Sequence, residues 1–505
     1  MAFIALAVSG LAGPADSDQQ RVPRATLTLT PDAAPIPIPP SYLGLSTEYW
    51  ALPLYARHVS TFERVLGLIH VPGDGPMILR VGGDSADHAF WNPGRRRLPS
   101  WAFTLSPKWT QLTTGIVHQL GVRLIIDLNL ITNSPATAAA WAQAAVTRLP
   151  EKSIIGFEIG NEPDIYNQSS WMRVTAGDLV AGRALPTVLT LKSYLSDFRL
   201  YASALHAVDS RLPLIGPALA EPRSHWPWVR ALLAAHVPGL SMISVHRYPY
   251  SACSRRPRSA SFPTIARILS PHASTVLAAE LAPMIAATHR AGLRFRLTEL
   301  NSVTCGGRPR VSDAFATALW APDTLFALLR ARADGVNLHV RANTINAPFA
   351  FTPRGLFARP LLYGLIMFSR ALADGSALLP AQLRATPSLN LHTWVVRTRS
   401  GGLHILAVDK GHHPVRLLLR LAGHASATVE RLRAAHPSSR FDVTLAGQRL
   451  SPRGTWTGLR RSQIVRRTRR GYVVDIPRFS AALINIPPAP RPPVPVTLAG
   501  LEPIS

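Results

Sequence analysis

The sequence predicts an α/β protein, a (β/α)8 barrel followed by a C-terminal antiparallel β-sandwich. Three observations lead there. Eight short apolar runs recur between residues 41 and 355, separated by segments long enough for helices, the alternation expected of a parallel sheet closed into a barrel. Beyond about residue 355 the runs become alternating and are separated by turn signals such as Ser400-Gly401-Gly402, the pattern of a sandwich. Two of the barrel runs end in a glutamate, at Glu162 and Glu299, and residues just past the C-terminal ends of barrel strands face the active site.

In chain order, residues 1–40 form an N-terminal segment. Its apolar stretch 1–13 resembles the back half of a secretory signal without a basic start, and 25–29 reads as a strand joining the sandwich. The barrel spans 41–355, with strands expected at 42–49, 77–81, 123–130, 154–159, 213–216, 242–246, 295–298 and 336–340. Helices are expected at 109–120, 136–148, 191–208, 226–236, 265–290 and 313–332. The sandwich covers 356–490, opening with a helix at 361–373 and continuing in strands at 391–397, 403–408, 415–421, 427–432, 441–445, 472–476 and 481–486. A Pro-rich tail, 491–505, completes the chain. No internal repeat stands out.

Composition narrows the class. The chain has 505 residues, 47% hydrophobic and 16% charged, which is globular rather than disordered. The formal net charge of +26 is carried almost entirely by arginine, with clusters at Arg95–Arg97, Arg255–Arg256 and between Arg460 and Arg470. Such a charge suits a polyanionic partner or an anionic surface, and equally a composition rich in Arg and Ala for no functional reason. No zinc-ligand spacing or aromatic-glycine pattern of a nucleic-acid module appears, so no nucleic-acid partner is expected. No apolar run reaches the length of a membrane span. Two cysteines, Cys253 and Cys305, are too few for a four-ligand zinc site. His246 and His339 lie near strand ends, without the spacing of a metal site, and are expected to be hydrogen-bonded residues at the rim. No metal or cofactor is expected.

The chemistry concentrates at the strand ends. Gly156-Phe157-Glu158-Ile159-Gly160-Asn161-Glu162-Pro163 is an apolar strand ending in a turn that carries Asn161 and Glu162, and Phe295-Arg296-Leu297-Thr298-Glu299 is its counterpart at strand seven. Two carboxyl groups on one barrel mouth suit glycoside hydrolysis, which needs an acid/base and a nucleophile. A single strand-end glutamate is more often a salt-bridged surface residue.

Taken together, Gly160-Asn161-Glu162-Pro163 and Thr298-Glu299 resemble the clan A glycoside hydrolases. Four further motifs resemble one family of that clan, glycoside hydrolase family 79, the β-glucuronidases and heparanases. These are Leu45-Ser46-Thr47-Glu48-Tyr49-Trp50, Arg80-Val81-Gly82-Gly83-Asp84-Ser85-Ala86-Asp87, His246-Arg247-Tyr248-Pro249, and Glu299-Leu300-Asn301-Ser302 running on to Cys305-Gly306-Gly307. The resemblance covers residues 40–370 and implies a retaining hydrolase acting on a glucuronide or a glycan that contains uronic acid, secreted or at the cell surface. Glu162 would be the acid/base and Glu299 the nucleophile. Asn161 would bond the sugar 2-hydroxyl, or simply form the turn. Tyr248 would stand beside the nucleophile. Gly306 and Gly307 would offer consecutive N–H groups to the sugar carboxylate, or make an ordinary turn. Glu48 and Asp84 would accept bonds from sugar hydroxyls or pair with cations, and Ser85 could replace Asp84 in that contact.

The sequence departs from the family at Arg247, and in residues 340–351, which hold no Tyr to help bind the carboxylate. Arg247 or Arg341 could supply the missing positive charge. Cys253 and Cys305 follow adjacent strands, six and seven, so a disulfide between them is expected to clamp the Gly306-Gly307 loop and to indicate an oxidising compartment; two free thiols are the alternative. Two competing functions remain, a clan A xylosidase or arabinosidase, and a non-catalytic protein that binds polyanionic glycans.

Overall fold

The computed structural model describes residues 22–488 except 131–133, 167–188, 342, 422 and 424. The signal-like stretch 1–13 and the tail 491–505 lie outside the described residues. All eight expected runs become strands of one closed parallel barrel: Leu43–Glu48, Ile78–Gly82, Arg123–Leu128, Ile154–Ile159, Leu214–Leu219, Leu240–Arg247, Arg294–Leu300 and Gly335–His339. The last strand closes on the first, with Val336 opposite Leu43. Helices cover the outside of the barrel, so these strands are buried on both faces and read as continuous apolar runs.

The barrel interior is layered. Ile78, Ile125, Ile155, Ile215 and Met242 form an apolar plug near the strand starts. Toward the C-terminal mouth the inward positions turn polar, with Arg80, Asp127, Glu158 and Thr298 all buried. Polar side chains are tolerated at such depth only when they satisfy one another, and the functional residues stand on this layer.

Two sheets stand outside the barrel, each with one strand from before it and the rest from after it. The larger runs Ile36–Pro37, Gly375–Leu379, Leu391–Thr398, Leu403–Asp409, Ser480–Ile486, Ala427–Arg433, Thr444–Leu445; the smaller runs Ala381–Arg384, Arg24–Leu29, Val415–Arg420, Tyr472–Ile476. Arg24–Leu29 pairs antiparallel with Ala381–Arg384 and parallel with Val415–Arg420, so the smaller sheet is not wholly antiparallel. Their facing side chains, among them Leu27, Val395, Ile405, Leu417, Val474 and Ile484, form a separate core.

Some elements differ from expectation. Strands Gly375–Leu379 and Ala381–Arg384 are missing from the sequence reading because Pro380 between them reads as a turn. The helix expected at 265–290 is broken into Ile265–Leu269 and Thr275–Arg290, with a single 3-10 turn at Pro271–Ala273. Pro271 has no N–H to continue the ladder and its ring crowds the preceding turn. The strand expected at 441–445 shortens to Thr444–Leu445. No described helix is long and apolar enough to cross a membrane.

Helix Phe315–Arg330 is buried along nearly its whole length, which accounts for its apolar character on every face. It lies between barrel and sandwich, with Phe326 stacked on Trp394 at 5.8 Å. The one acid in this helix, Asp323, accepts from Lys410 Nζ (2.7 Å), His392 Nδ1 (2.8 Å) and Trp394 Nε1 (3.1 Å). Burial would push its carboxyl up, but Lys410 and His392 outweigh burial and hold it far below the usual carboxylate range. A folded-state pKa below the unfolded one adds stability above about pH 4, and this is lost as pH falls. Asp323→Asn leaves the Lys410 ammonium buried without a counter-charge. We expect it to lower stability at neutral pH by about 3–5 kcal/mol, read from denaturant unfolding; a loss below about 1 kcal/mol would show that the cluster does not tie the two parts together.

Candidate active site

Strand two delivers the residue around which the mouth is organised. Arg80 is fully buried, yet all its guanidinium nitrogens are engaged. Nε donates to Glu158 (2.7 Å), Nη2 to Asp127 (2.7 Å) and Asn161 Oδ1 (3.0 Å), and Nη1 to Glu299 Oε1 (2.5 Å) and Ser46 (3.4 Å). The planar fork of arginine suits such a hub, which lysine could not serve. Burial pushes the Asp127 carboxyl well above its usual value, against the pull of the Arg80 guanidinium.

Glu162 and Glu299 come from strands four and seven. Glu162 sits in the left-handed region (φ 50°) just past strand four, and its N–H bonds the Ala218 carbonyl at 3.0 Å. Its Oε1 lies 2.9 Å from His246 Nδ1, which is also 3.8 Å from Glu299 Oε2. One oxygen of each glutamate and His246 Nδ1 all fall within 4.8 Å of one another. By residue type this trio could hold a cation. The geometry here is that of two carboxyl groups sharing an imidazole.

The environments of the two carboxyls differ. Burial pushes Glu162 up, opposed by its hydrogen bond to His246. Glu299 feels the same burial, but His339, His246, Arg80 and the Tyr248 hydroxyl outweigh it and bring it down to about 2. Burial drives one carboxyl up while neighbouring cations draw the other down, the kind of split that separates an acid from a base in a pair of carboxyls.

Tyr248 Oη lies 2.6 Å from both Glu299 Oε2 and His339 Nδ1. Burial pushes the Tyr248 phenol well above its usual value, so it donates to Glu299 and accepts from His339. His339 is raised despite burial by Glu299 and Glu48; its Nε2 is 3.6 Å from Glu48 Oε1. Glu48 itself is fully buried behind His339, and its other oxygen accepts the Ser85 N–H at 2.8 Å. Gly83 is needed here, because a Cβ at this left-handed position (φ 67°) would fall 2.8 Å from the Glu48 carboxylate.

A cleft of about 550 Å³ opens over these groups. Asp84, Glu162, Tyr248, Glu299 and Gly306 line it; Asn161, Glu48, Ser85 and Gly307 do not. Asn161 sits just beneath, its Oδ1 taken by Arg80. The Ser85 hydroxyl donates to the Gly82 carbonyl (2.6 Å) and accepts the Tyr49 N–H (2.7 Å), so it braces the loop rather than replacing Asp84. Asp84 is half exposed and pairs with Arg341 at 3.2 Å. Burial and the neighbouring acids Glu48 and Glu162 raise its carboxyl, although its solvent-open side screens the effect. Cys253 and Cys305 form the expected disulfide, with Cα atoms 5.8 Å apart. The Gly307 N–H donates to the Thr304 carbonyl at 3.2 Å, closing a turn; of the pair only Gly306 lines the cleft, and among the described residues its N–H makes no backbone bond.

Three residues matter more here than their sequence neighbourhood suggests. Arg80 stood in a quoted motif, and an arginine inside an apolar strand run was the available signal. His246 is not a rim residue, being fully buried between the two glutamates, whereas His339 lines the cleft and bonds Tyr248.

No family model matches the chain. It is 23% identical to the β-glucuronidase of Aspergillus niger over 331 residues, 58% of this chain and 57% of that protein, so it spans little more than half of the relative's length. Among solved structures, a 4-O-α-L-rhamnosyl-β-D-glucuronidase from Fusarium oxysporum superposes with a TM-score of 0.73 at 16% identity, covering 91% of this chain and all of that one. A family 51 arabinofuranosidase from Xanthomonas axonopodis gives 0.67 at 14% identity over 92% of this chain and all of that one. The chain therefore has the clan A-like barrel fold of the glycoside hydrolases. Within that class, the Aspergillus β-glucuronidase is a distant relative.

Proposed function

We propose that this protein is a retaining glycoside hydrolase acting on β-glucuronides, similar to glycoside hydrolase family 79. The observation that carries the reading is the pair Glu162 and Glu299, with carboxyl oxygens within 4.8 Å and protonation driven in opposite directions. Inverting enzymes hold their carboxyls about 6.5–9.5 Å apart to admit a water, and retaining enzymes about 5–5.5 Å. Glu299 attacks the anomeric carbon while Glu162 protonates the departing glycosidic oxygen, giving a covalent glycosyl-enzyme. Glu162, now ionised, takes a proton from water, which displaces Glu299 and restores both groups. Asn161, with Oδ1 occupied by Arg80, has its amide N–H left to offer the sugar 2-hydroxyl. Tyr248 and Arg80 hold Glu299 in place. The disulfide supports a secreted or cell-surface location.

The substrate carboxylate needs a cation in an acidic mouth. Arg247 is tied to Glu280 (3.1 Å) and to the Tyr248 carbonyl (3.0 Å). Arg341 is the better candidate: it lines the cleft, and its partner Asp84 is solvent-open. Such a pair contributes about 0–1 kcal/mol, so exchanging Asp84 for a substrate carboxylate costs little. A neutral-sugar glycosidase, of the xylosidase or arabinosidase kind, is the second reading; the engaged Gly307 N–H favours it.

The test is hydrolysis of p-nitrophenyl β-D-glucuronide beside the matching glucoside and xyloside. Cleavage of the glucuronide alone is expected, with an alkaline limb in the pH profile as Glu162 loses its proton, and Arg341→Gln should raise KM for the glucuronide about tenfold or more. Cleavage of the neutral glycosides instead would overturn the uronic-acid reading. Binding of heparin with no cleavage of any glycoside would point to a glycan-binding protein.

A further inference from the structure

The strand Ala427–Arg433 changes partners along its outer edge. Val429 pairs with Gln463, while Arg433 pairs with Thr444. Side chains alternate along a strand and cross-strand partners share a face, so Val429, Arg431, Arg433, Gln463 and Thr444 lie on one face. At Ala427 and Val429 that face is core, covered by the smaller sheet. The smaller sheet ends at Tyr472–Ile476, where Arg431 reaches the Asp475 carbonyl at 3.0 Å. Past that edge the same face continues as a cleft of about 500 Å³, walled by Arg431, Arg433, Arg461, Thr444, Ser462 and Gln463.

Three arginines and one carboxylate, Asp442, line this cleft. Neither Arg433 nor Arg461 pairs with a carboxylate among the described residues. Arg431 donates only to a carbonyl, and its guanidinium is pushed down by burial and by Arg433 beside it. The acids are engaged by other arginines: Glu430, on the opposite face, by Arg370 and Arg460; Asp475 by Arg416; and Asp442, in the cleft itself, by Arg449. Arg461 is held in position. Its N–H bonds the Ala446 carbonyl at 2.7 Å, and its stem crosses Gly447, where a Cβ would come 3.0 Å from Arg461 Cγ.

We propose that this cleft is a second glycan-binding site, which takes an anionic polysaccharide through its carboxylate or sulfate groups. Arginine forks match such groups bidentately, and Thr444, Ser462 and Gln463 offer hydrogen bonds to the intervening hydroxyls. No aromatic ring stands on the wall to stack a nucleobase, and the surface is concave, unlike one that meets a lipid bilayer. None of these residues lines the catalytic cleft, so the inference is independent of the chemistry at Glu162 and Glu299. Its role is to tether a polymer and raise its local concentration at the barrel mouth.

The test uses the full chain carrying Glu299→Gln, with heparin and hyaluronan as probes and binding measured over a range of salt. The Arg433→Ser/Arg461→Ser double variant should bind at least about tenfold more weakly, with a shallower salt dependence. Arg433→Glu alone should weaken binding in the same direction. Both substitutions are at exposed positions, so the unfolding midpoint should not move, and in the otherwise native chain turnover of a small p-nitrophenyl glycoside should be unchanged. Unaltered polysaccharide affinity in both variants would overturn the proposal. So would tighter binding of duplex DNA or of phosphatidylserine vesicles than of either polysaccharide, lost on the same substitutions.

Discussion

Glu299→Ala should reduce turnover of an activated aryl glycoside by at least about 10⁴-fold, and Glu162→Ala by about 10²–10⁴-fold. Azide separates the two roles. The Glu299 variant keeps its acid, so azide can enter the vacated side and restore cleavage with inverted stereochemistry at the anomeric carbon. The Glu162 variant still forms the glycosyl-enzyme from a substrate with a good leaving group. There azide, which needs no general base, attacks the intermediate and gives a glycosyl azide of retained configuration. Product configuration by NMR reads both outcomes. Loss of activity in both variants with the stereochemistry exchanged would reverse the assignment. Full activity in either would remove that residue from the mechanism, and with it the reading of the 4.8 Å cluster.

Arg80 is the second residue with a large expected effect. Its removal strands Glu158 and Glu299 in a site where both are almost without solvent contact. Breaking a buried ion pair from one side costs about 3–5 kcal/mol, so Arg80→Met should lower stability by about that amount and turnover by at least 10²-fold. Arg80→Lys distinguishes catalysis from folding. It retains a charge but cannot reach Glu158, Asp127, Asn161 and Glu299 together. Glu299 then loses part of what holds it near 2. A base-like carboxylate acts only while ionised, so activity falls as pH drops through its pKa, and the acid limb of kcat/KM should move to higher pH. A folded Arg80→Lys variant with an unshifted acid limb would reduce Arg80 to a structural part.

The positions of the eight barrel strands, the glutamates at the ends of strands four and seven, and the neighbouring cysteine loops were legible in the sequence. Each depends on local chemistry. Strands buried on both faces read as apolar runs, turns show themselves through Gly and Pro, and strand order then places loops six and seven side by side. Three things required the folded chain. Arg80 meets Glu299 across 219 positions of sequence, and no local pattern tells an arginine at a hub from one in a simple ion pair. Which of Gly306 and Gly307 keeps its N–H out of a backbone bond depends on a turn to Thr304. Arg431, Arg433 and Arg461 become one wall only because the smaller sheet stops short of them. Periodicity and turn chemistry thus determined the scaffold and where its functional ends point. The protonation of those ends, and the company that charged side chains keep, were decided by burial and by contacts distant in sequence.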